Sequence, residues 1–144
     1  MCGRARPRIN RAAAGVLRQL AGASANLEMV VARRQPDKPG AGIVFLAPVK
    51  GRKATEAAAM AGLSPATGMA ALRVEGTDRP GLGAKMTTSI ADAGINMRGL
   101  SAAAHGSRFV AYVAFDSVAD AEKAAKAIKA ATAAKGPAKK STKR

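Results

Sequence analysis

An internal repeat is the sequence feature that most constrains the fold of this 144-residue chain. At an offset of 70 residues, the chain matches itself at apolar positions and at one asparagine. The matched pairs are Val16/Met86, Leu20/Ile90, Asn26/Asn96 and Leu27/Met97. At an offset of 66 residues, residues 43–46 fall on 109–112, and Glu56 falls on Glu122. Because helix, strand, strand and helix then recur in the same order, we predict two related units in tandem.

The second unit shows the clearer secondary-structure pattern. Residues 69–76 alternate between apolar and polar, which is typical of a half-buried strand. Apolar residues recur every four positions over residues 82–90, which predicts a helix with one apolar face. Further strands are expected at residues 95–103 and 108–115, and a second helix follows at about 117–128. The predicted order is therefore β-α-β-β-α.

Two details sharpen the prediction for the second unit. Alternation in the strand at 108–115 places four apolar residues on one face: Phe109, Ala111, Val113 and Phe115. Ser117 is followed three residues later by Asp120, a spacing typical of a helix-capping pair. The pattern therefore predicts which strand face meets the helices and where the last helix begins.

The first unit repeats this order less completely. We expect a helix at 12–23, strands at 26–34 and 43–48, and a helix at 52–61. No first strand is predicted, because residues 1–10 contain three Arg, a Pro and a Gly. A missing strand would leave a sheet edge unpaired, and a second chain would cover it, so we predict a homodimer.

These patterns divide the chain into four segments. They are a basic N-terminal segment (1–11), a degenerate unit (12–68), a second unit (69–134) and a disordered basic tail (135–144). No last strand is predicted for the second unit, since the sequence from residue 132 onward is typical of a tail.

A loop motif joins the first strand of the second unit to its helix. The motif is Asp78, Arg79, Pro80, Gly81 and Leu82. Pro80 suits a first helical turn, and Gly81 suits a tight backbone. Such a loop offers amide N–H groups and a carboxylate at a helix N-terminus, where a small zwitterion can bind with its ammonium on Asp78. Alternatively, Asp78 only caps the helix and Gly81 only makes the turn.

The helix of the second unit is expected to end at Ala93-Gly94, and the next strand to begin at Ile95. Together, the β-α-β-β-α order, the loop at 78–82 and this strand start resemble an ACT domain. The doubling is similar to the small tandem-ACT proteins. The resemblance implies an α+β fold, in which each unit is a ferredoxin-like βαββαβ sandwich with two helices on one face of an antiparallel sheet.

The resemblance also implies a site and a function. Many ACT units bind a free amino acid or another small ligand where two units meet. Carried over, the ligand-binding residues are Asp78, Arg79, Pro80, Gly81 and Leu82 of one unit, with Ile95, Asn96 and Met97 of a second. In the first unit, Arg8 stands where the motif has Gly, and no acid precedes it. We therefore expect a non-catalytic regulatory or sensor module whose output passes through a partner enzyme or regulator.

Composition argues against several other classes. The single His, His105, lies in a predicted turn, and neither a catalytic triad nor a metal-binding spacing of His and Cys is evident. No phosphate-binding or dinucleotide motif is present, so no cofactor is predicted. One cysteine excludes a disulfide framework and fits a reducing, cytoplasmic location. No apolar run approaches the roughly 20 residues of a membrane span.

Charge leaves an alternative open. The net charge is +15, and the last ten residues carry five cations and no acid: Lys135, Lys139, Lys140, Lys143 and Arg144. Basic ends attract nucleic acid and other polyanions, so the tail predicts either a polyanion-binding segment or only a solvated tail. A third alternative is a module that mediates oligomerisation or docks on an enzyme without any ligand.

Overall fold

The computed structural model describes residues 2–5, 9–39 and 41–133. The chain forms two compact units that divide between Thr67 and Gly68. The first unit contains β1 (Cys2–Ala5), α1 (Ile9–Gly22), β2 (Met29–Arg34), β3 (Gly42–Ala47), α2 (Arg52–Met60) and β4 (Leu63–Ser64). The second contains β5 (Ala70–Thr77), α3 (Leu82–Asp92), β6 (Gly99–His105), β7 (Arg108–Phe115) and α4 (Val118–Ala133). The predicted α+β class, with two antiparallel sheets, is confirmed.

The first unit has a first strand, so the prediction that it lacks one is wrong. Its sheet has the order β2-β3-β1-β4 with antiparallel neighbours. Cys2 lies opposite Phe45 of β3 on one side and Ser64 of β4 on the other. A four-residue segment has too little alternation to be recognised, but pairing on both sides satisfies its backbone. The unpaired edge from which we predicted a homodimer does not exist at this strand.

The second unit has a smaller sheet. Its order is β5-β7-β6, with β7 antiparallel to both neighbours. Helix α4 ends at Ala133, which is the last described residue, so the absence of a last strand from this unit stays a prediction. The predicted tail, residues 135–144, lies outside the described residues. Among the described residues, β5 therefore has a strand on one side only.

The core of the second unit lies between its sheet and its two helices. Phe109, Ala111, Val113 and Phe115 of β7 are all buried, as the alternation predicts. They pack with one buried pair from each helix, which are Met86 and Ile90 of α3 and Ala124 and Ile128 of α4. Among the described residues no polar side chain is buried, so apolar burial dominates the stability of this layer.

The repeat is real, but one predicted offset is wrong by a residue. Met29 pairs with Ala47 in the first unit, and Gly99 pairs with Ala114 in the second, so β3 corresponds to β7 at an offset of 67. Residues 43–46 are all apolar, and a continuous apolar run fits either face of a sheet. Alternate residues of β3, including Val44 and Leu46, are buried, which fixes the register.

Candidate functional site

A type II turn connects β5 to α3. The Leu82 N–H donates to the Arg79 carbonyl over 3.1 Å, with Pro80 and Gly81 at the two central positions. Gly81 has φ 81° and ψ 0°, the values that a type II turn requires at its third residue. The prediction that Pro80 begins the helix is therefore wrong: α3 begins at Leu82, with Gly81 as its N-cap.

The backbone dihedral, rather than a close approach, explains the glycine in this turn. A Cβ added at Gly81 would meet no heavy atom within 4 Å, so the space around it is open. The expectation that the backbone is crowded at Gly81 is wrong. A left-handed φ is what disfavours any other residue there. The base of the loop is held by the Asp78 N–H, which donates to the Ser107 carbonyl of the β6–β7 turn over 2.8 Å.

The N-terminus of α3 carries free donors. The first helical bond runs from the Lys85 N–H to the Gly81 carbonyl over 2.9 Å. No side chain caps the helix, and the amides of Gly83 and Ala84 have no acceptor within the described part of the chain. The first turn contains no acidic residue, so the positive end of the helix dipole is not offset locally.

Asp78 does not cap α3. Its carboxylate forms no hydrogen bond or ion pair with any described residue, and the side chains of both Asp78 and Arg79 are exposed. The simpler interpretation, in which Asp78 serves only as a helix cap, is therefore not what the geometry shows. The unpaired Asp78 carboxylate lies in the loop that leads to the N-terminus of α3. A negative charge therefore precedes the free amides at the positive end of the helix dipole.

The second group of predicted site residues lies at the other end of α3. The helix has 11 residues and is about 16 Å long, so the Asp78 loop and Asn96 are far apart within one unit. The side chain of Ile95 is buried in the core, whereas Asn96 and Met97 are exposed. The structure of the second unit does not bring the two groups together. That Asn96 and Met97 meet the loop of another unit stays a prediction.

A Schellman motif ends α3 and explains why Ile95 does not begin a strand. The Gly94 N–H donates to the Ala91 carbonyl over 2.8 Å, and the Ile95 N–H donates to the Ile90 carbonyl over 3.2 Å. Gly94 has φ 70°, as this motif requires. The predicted helix end is confirmed, but β6 begins at Gly99 rather than at Ile95. Residues 95–97 therefore form a connection that is held against the helix.

The first unit ends its helix α1 in the same way with a different residue. The Ser24 N–H donates to the Ala21 carbonyl over 2.9 Å, and the Ala25 N–H donates to the Leu20 carbonyl over 3.0 Å. Ser24 has φ 55°, so a serine occupies the left-handed position that Gly94 occupies in the second unit. The counterpart of the Asp78 loop, at residues 6–8, lies outside the described residues.

An open groove was not foreseen from the sequence. It lies between α1 and α2, has a volume of about 380 Å³, and is lined by Gln19, Gly22, Ala23, Lys53, Glu56, Ala57 and Met60. Met60 is 83% exposed there. Glu56 forms an exposed ion pair with Arg52 on the same helix over 2.8 Å. Such a groove has no sequence pattern of its own, because its lining comes from two segments that lie about 30 residues or more apart in the sequence.

Metal-binding clusters and membrane-spanning helices are both absent from the described residues. They contain no group of three or more His, Cys, Asp or Glu side chains that could hold a metal ion. Within the same residues, no helix is both long and apolar enough to cross a membrane.

Comparison with known proteins supports the fold. No protein-family model matches the chain, and no curated protein matches its sequence. Protein BT0572 from Bacteroides thetaiotaomicron matches in structure with a TM-score of 0.70 at 15% identity, over 91% of this chain and 85% of that one. The regulatory subunit of aspartate kinase from Thermus thermophilus, in a ligand-free form, matches with a TM-score of 0.61 at 22% identity, over 90% of both chains.

The structure of aspartokinase alpha and beta subunits also matches, with a TM-score of 0.60 at 17% identity, over 92% of this chain and 90% of that one. At these identities the similarity establishes the fold alone. The chain therefore has an α+β, ferredoxin-like fold of the ACT type. The regulatory subunit of aspartate kinase from Thermus thermophilus has a similar fold.

Proposed function

We propose that this protein is a non-catalytic regulatory module that binds a free amino acid at the loop between β5 and α3. One observation carries the proposal. The amides of Gly83 and Ala84 have no acceptor among the described residues, and the carboxylate of Asp78, in the loop just before them, has no partner there either. Free donors in the first turn of α3 and a free carboxylate in the loop before it match the two opposite charges of a zwitterion.

The chemistry of this loop suits an α-amino acid better than an amine or a carboxylic acid alone. The ligand carboxylate would accept charge-assisted hydrogen bonds from the amides of Gly83 and Ala84, at the positive end of the α3 dipole. The ligand ammonium would pair with Asp78. Each of these two contacts is exposed and weak by itself. The ligand therefore needs both its carboxylate and its ammonium group to bind this loop with useful affinity.

The output of such a module passes through another protein. Two of the structural neighbours are described as a regulatory subunit of aspartate kinase and as aspartokinase alpha and beta subunits. By analogy, we propose that this chain docks on a partner enzyme or regulator and that the ligand stabilises one pairing of units. Asn96 and Met97 of a second unit would close the site over the ligand. The mechanism is then a population shift driven by differential affinity.

A thermal melt against a panel of free amino acids at millimolar concentration tests this proposal. A ligand at about 100 times its Kd stabilises the folded state by roughly 2.7 kcal/mol, which shifts the Tm by several degrees. We expect one amino acid to raise the Tm and Asp78→Ala to abolish the gain. Asp92→Ala is the matched control, because it removes an exposed carboxylate from the opposite end of α3.

The control variant should keep the full ligand-induced shift in Tm. A cooperative melt that no compound moves would contradict the proposal and favour a module that only docks or oligomerises. An equal loss of shift in both variants would also contradict it, because the effect would then not depend on the Asp78 loop.

The charge of the chain supports a second candidate, which is polyanion binding by the tail. Residues 135–144 carry five cations and no acid. If the tail binds nucleic acid, the affinity falls steeply with salt, and deletion of residues 135–144 abolishes binding while Asp78→Ala does not. Retention measured on a heparin column at several salt concentrations, with both variants, separates the two candidates.

A further inference from the structure

The outer edge of β5 is one of two strand edges that no described residue covers in the second unit, the other being that of β6. β5 has eight residues and pairs with β7 on one side, and no described residue pairs with its other side. Its counterpart β1 in the first unit lies between β3 and β4. Exposed edges offer a row of unpaired N–H and C=O groups, which another strand tends to cover. The residues of β5 itself indicate what kind of strand would fit this edge.

We propose that β5 pairs antiparallel with β5 of a second copy of this chain, with Val74 at the two-fold axis. In that register, Arg73 faces the partner's Glu75, and Glu75 faces the partner's Arg73. A two-fold interface repeats every contact, so the single strand supplies two opposite-charge cross-strand pairs. The two sheets would then join into one sheet of six strands. This inference goes beyond the proposed function and does not depend on ligand binding.

Both faces of β5 fit this register. Arg73 and Glu75 lie on the open face of the sheet, because their neighbours on β7 are Tyr112 and Val110 rather than the buried core residues. Leu72 lies on the helix-covered face and would face the partner's Gly76. The large Leu72 side chain would therefore lie opposite a residue that has no side chain. The strand is therefore complementary to itself in size as well as in charge.

The charges already interact within one chain. Arg73 forms an ion pair with Glu75, and Arg108 Nη2 of β7 lies 3.9 Å from Glu75 Oε2. The Arg73 and Glu75 side chains keep 45% and 37% of their surface exposed, so both can reach across to a second strand. In the dimer these groups form a network around the axis, which is worth more than isolated surface pairs.

The other candidate strands lack this complementarity. The edge strand β2 carries Arg33 and Arg34 and no acid, and the edge strand β6 carries neither Lys, Arg, Asp nor Glu. The chain's own tail contains Gly136, Pro137 and five cations, so it offers no acid to Arg73 and a proline that cannot donate to a ladder. A second copy of β5 is therefore the best-matched occupant.

Solution mass, measured by light scattering or sedimentation at micromolar concentration, tests the interface by charge reversal. We expect a dimer, and we expect Arg73→Glu or Glu75→Arg to raise its dissociation constant at least about tenfold, since each places like charges opposite one another twice. Combining the two substitutions restores opposite charges across the axis and should restore the dimer. Arg33→Glu, an equal charge change on edge strand β2, should leave the dimer intact.

A cysteine cross-link tests the register independently of charge. In a Cys2→Ser background, Val74→Cys places the two thiols opposite each other at the axis and should form a disulfide-linked dimer under mild oxidation. Arg73→Cys, one residue away, places its thiol opposite the partner's Glu75 and should cross-link much less. Circular dichroism confirms that each variant remains folded.

Several results would overturn the proposal. They are a monodisperse monomer at micromolar concentration, a dimer that is broken by Arg33→Glu but not by Arg73→Glu, and equal cross-linking at positions 73 and 74. Dimerisation that appears only after deletion of residues 134–144 would also overturn it, since the tail would then be the occupant of the β5 edge.

Discussion

The two units end their first helices with the same backbone geometry but with different residues. They differ in how their first strands are paired. Both end their first helix with the same pair of backbone hydrogen bonds, through Ser24 in one and Gly94 in the other. In contrast, strand β1 pairs with a strand on each side, whereas β5 pairs with a strand on one side only among the described residues. The fold therefore tolerates a different residue at the helix end, and the two units differ in the pairing of their first strands and in the Asp78 carboxylate that precedes α3.

The largest expected effect concerns the core of the second unit. Phe115→Ala removes a fully buried ring and should lower the free energy of unfolding by about 3–5 kcal/mol. Val118→Ala, at a side chain that is 66% exposed only three residues away, is the control and should cost less than about 0.5 kcal/mol. Urea unfolding followed by Tyr112 fluorescence reports on the second unit, because Tyr112 is the sole tyrosine and there is no Trp. Similar losses in both variants would contradict the described core.

A smaller effect is expected at the start of α4, which has the side-chain cap that α3 lacks. The Asp120 N–H donates to the Ser117 hydroxyl over 3.0 Å, and that hydroxyl donates to the Asp120 carboxylate over 2.7 Å. Ser117→Ala should therefore cost about 1 kcal/mol, and Ser117→Asn should retain most of the stability. Urea midpoints compare the three proteins. An alanine variant as stable as the wild type would show that the cap contributes nothing.

The smallest effects test the shared helix end directly, and their signs should be opposite. Gly94→Ala places a Cβ at φ 70° and should destabilise by about 1 kcal/mol, while Ser24→Gly relieves a left-handed serine and should stabilise by about 0.5 kcal/mol. Both changes are measured as shifts in the midpoint of thermal unfolding. Shifts of the same sign would mean that the two helix ends are not equivalent.

Much of the fold could be predicted from the sequence. Where an element buries only one face, its apolar residues recur at the regular spacing of a strand or a helix. The alternation in β7 and the four-residue spacing in α3 identified buried faces, and Ser117 with Asp120 identified a helix start, all of which are confirmed. Strand β1 was missed, since its stability comes from two neighbouring strands rather than from its own four residues. Residues 43–46 led to the wrong offset between β3 and β7. All four residues are apolar, so their pattern does not show which of them face the core.

The candidate site could be predicted only in part. The Pro80-Gly81 pair indicated a turn before a helix, but the turn proved to be type II, so that Gly81 rather than Pro80 stands at the helix start. Whether the Asp78 carboxylate caps the helix depends on its side-chain conformation, which no sequence pattern fixes. Residues 95–97 form a connection and not the start of a strand because the Ile95 N–H bonds back to α3, and no sequence pattern indicates that hydrogen bond.

Two-dimensional ¹H–¹⁵N NMR is the sharpest test of amino-acid binding at the start of α3, because it observes the proposed donor amides themselves. In a titration with the amino acid that most raises the Tm, we expect the amide resonances of Gly83 and Ala84 to move with saturable shifts. The same titration of Asp78→Ala should leave them in place, and Asp92→Ala should behave as the wild type. Saturable shifts confined to other residues, such as those that line the groove between α1 and α2, would contradict the account.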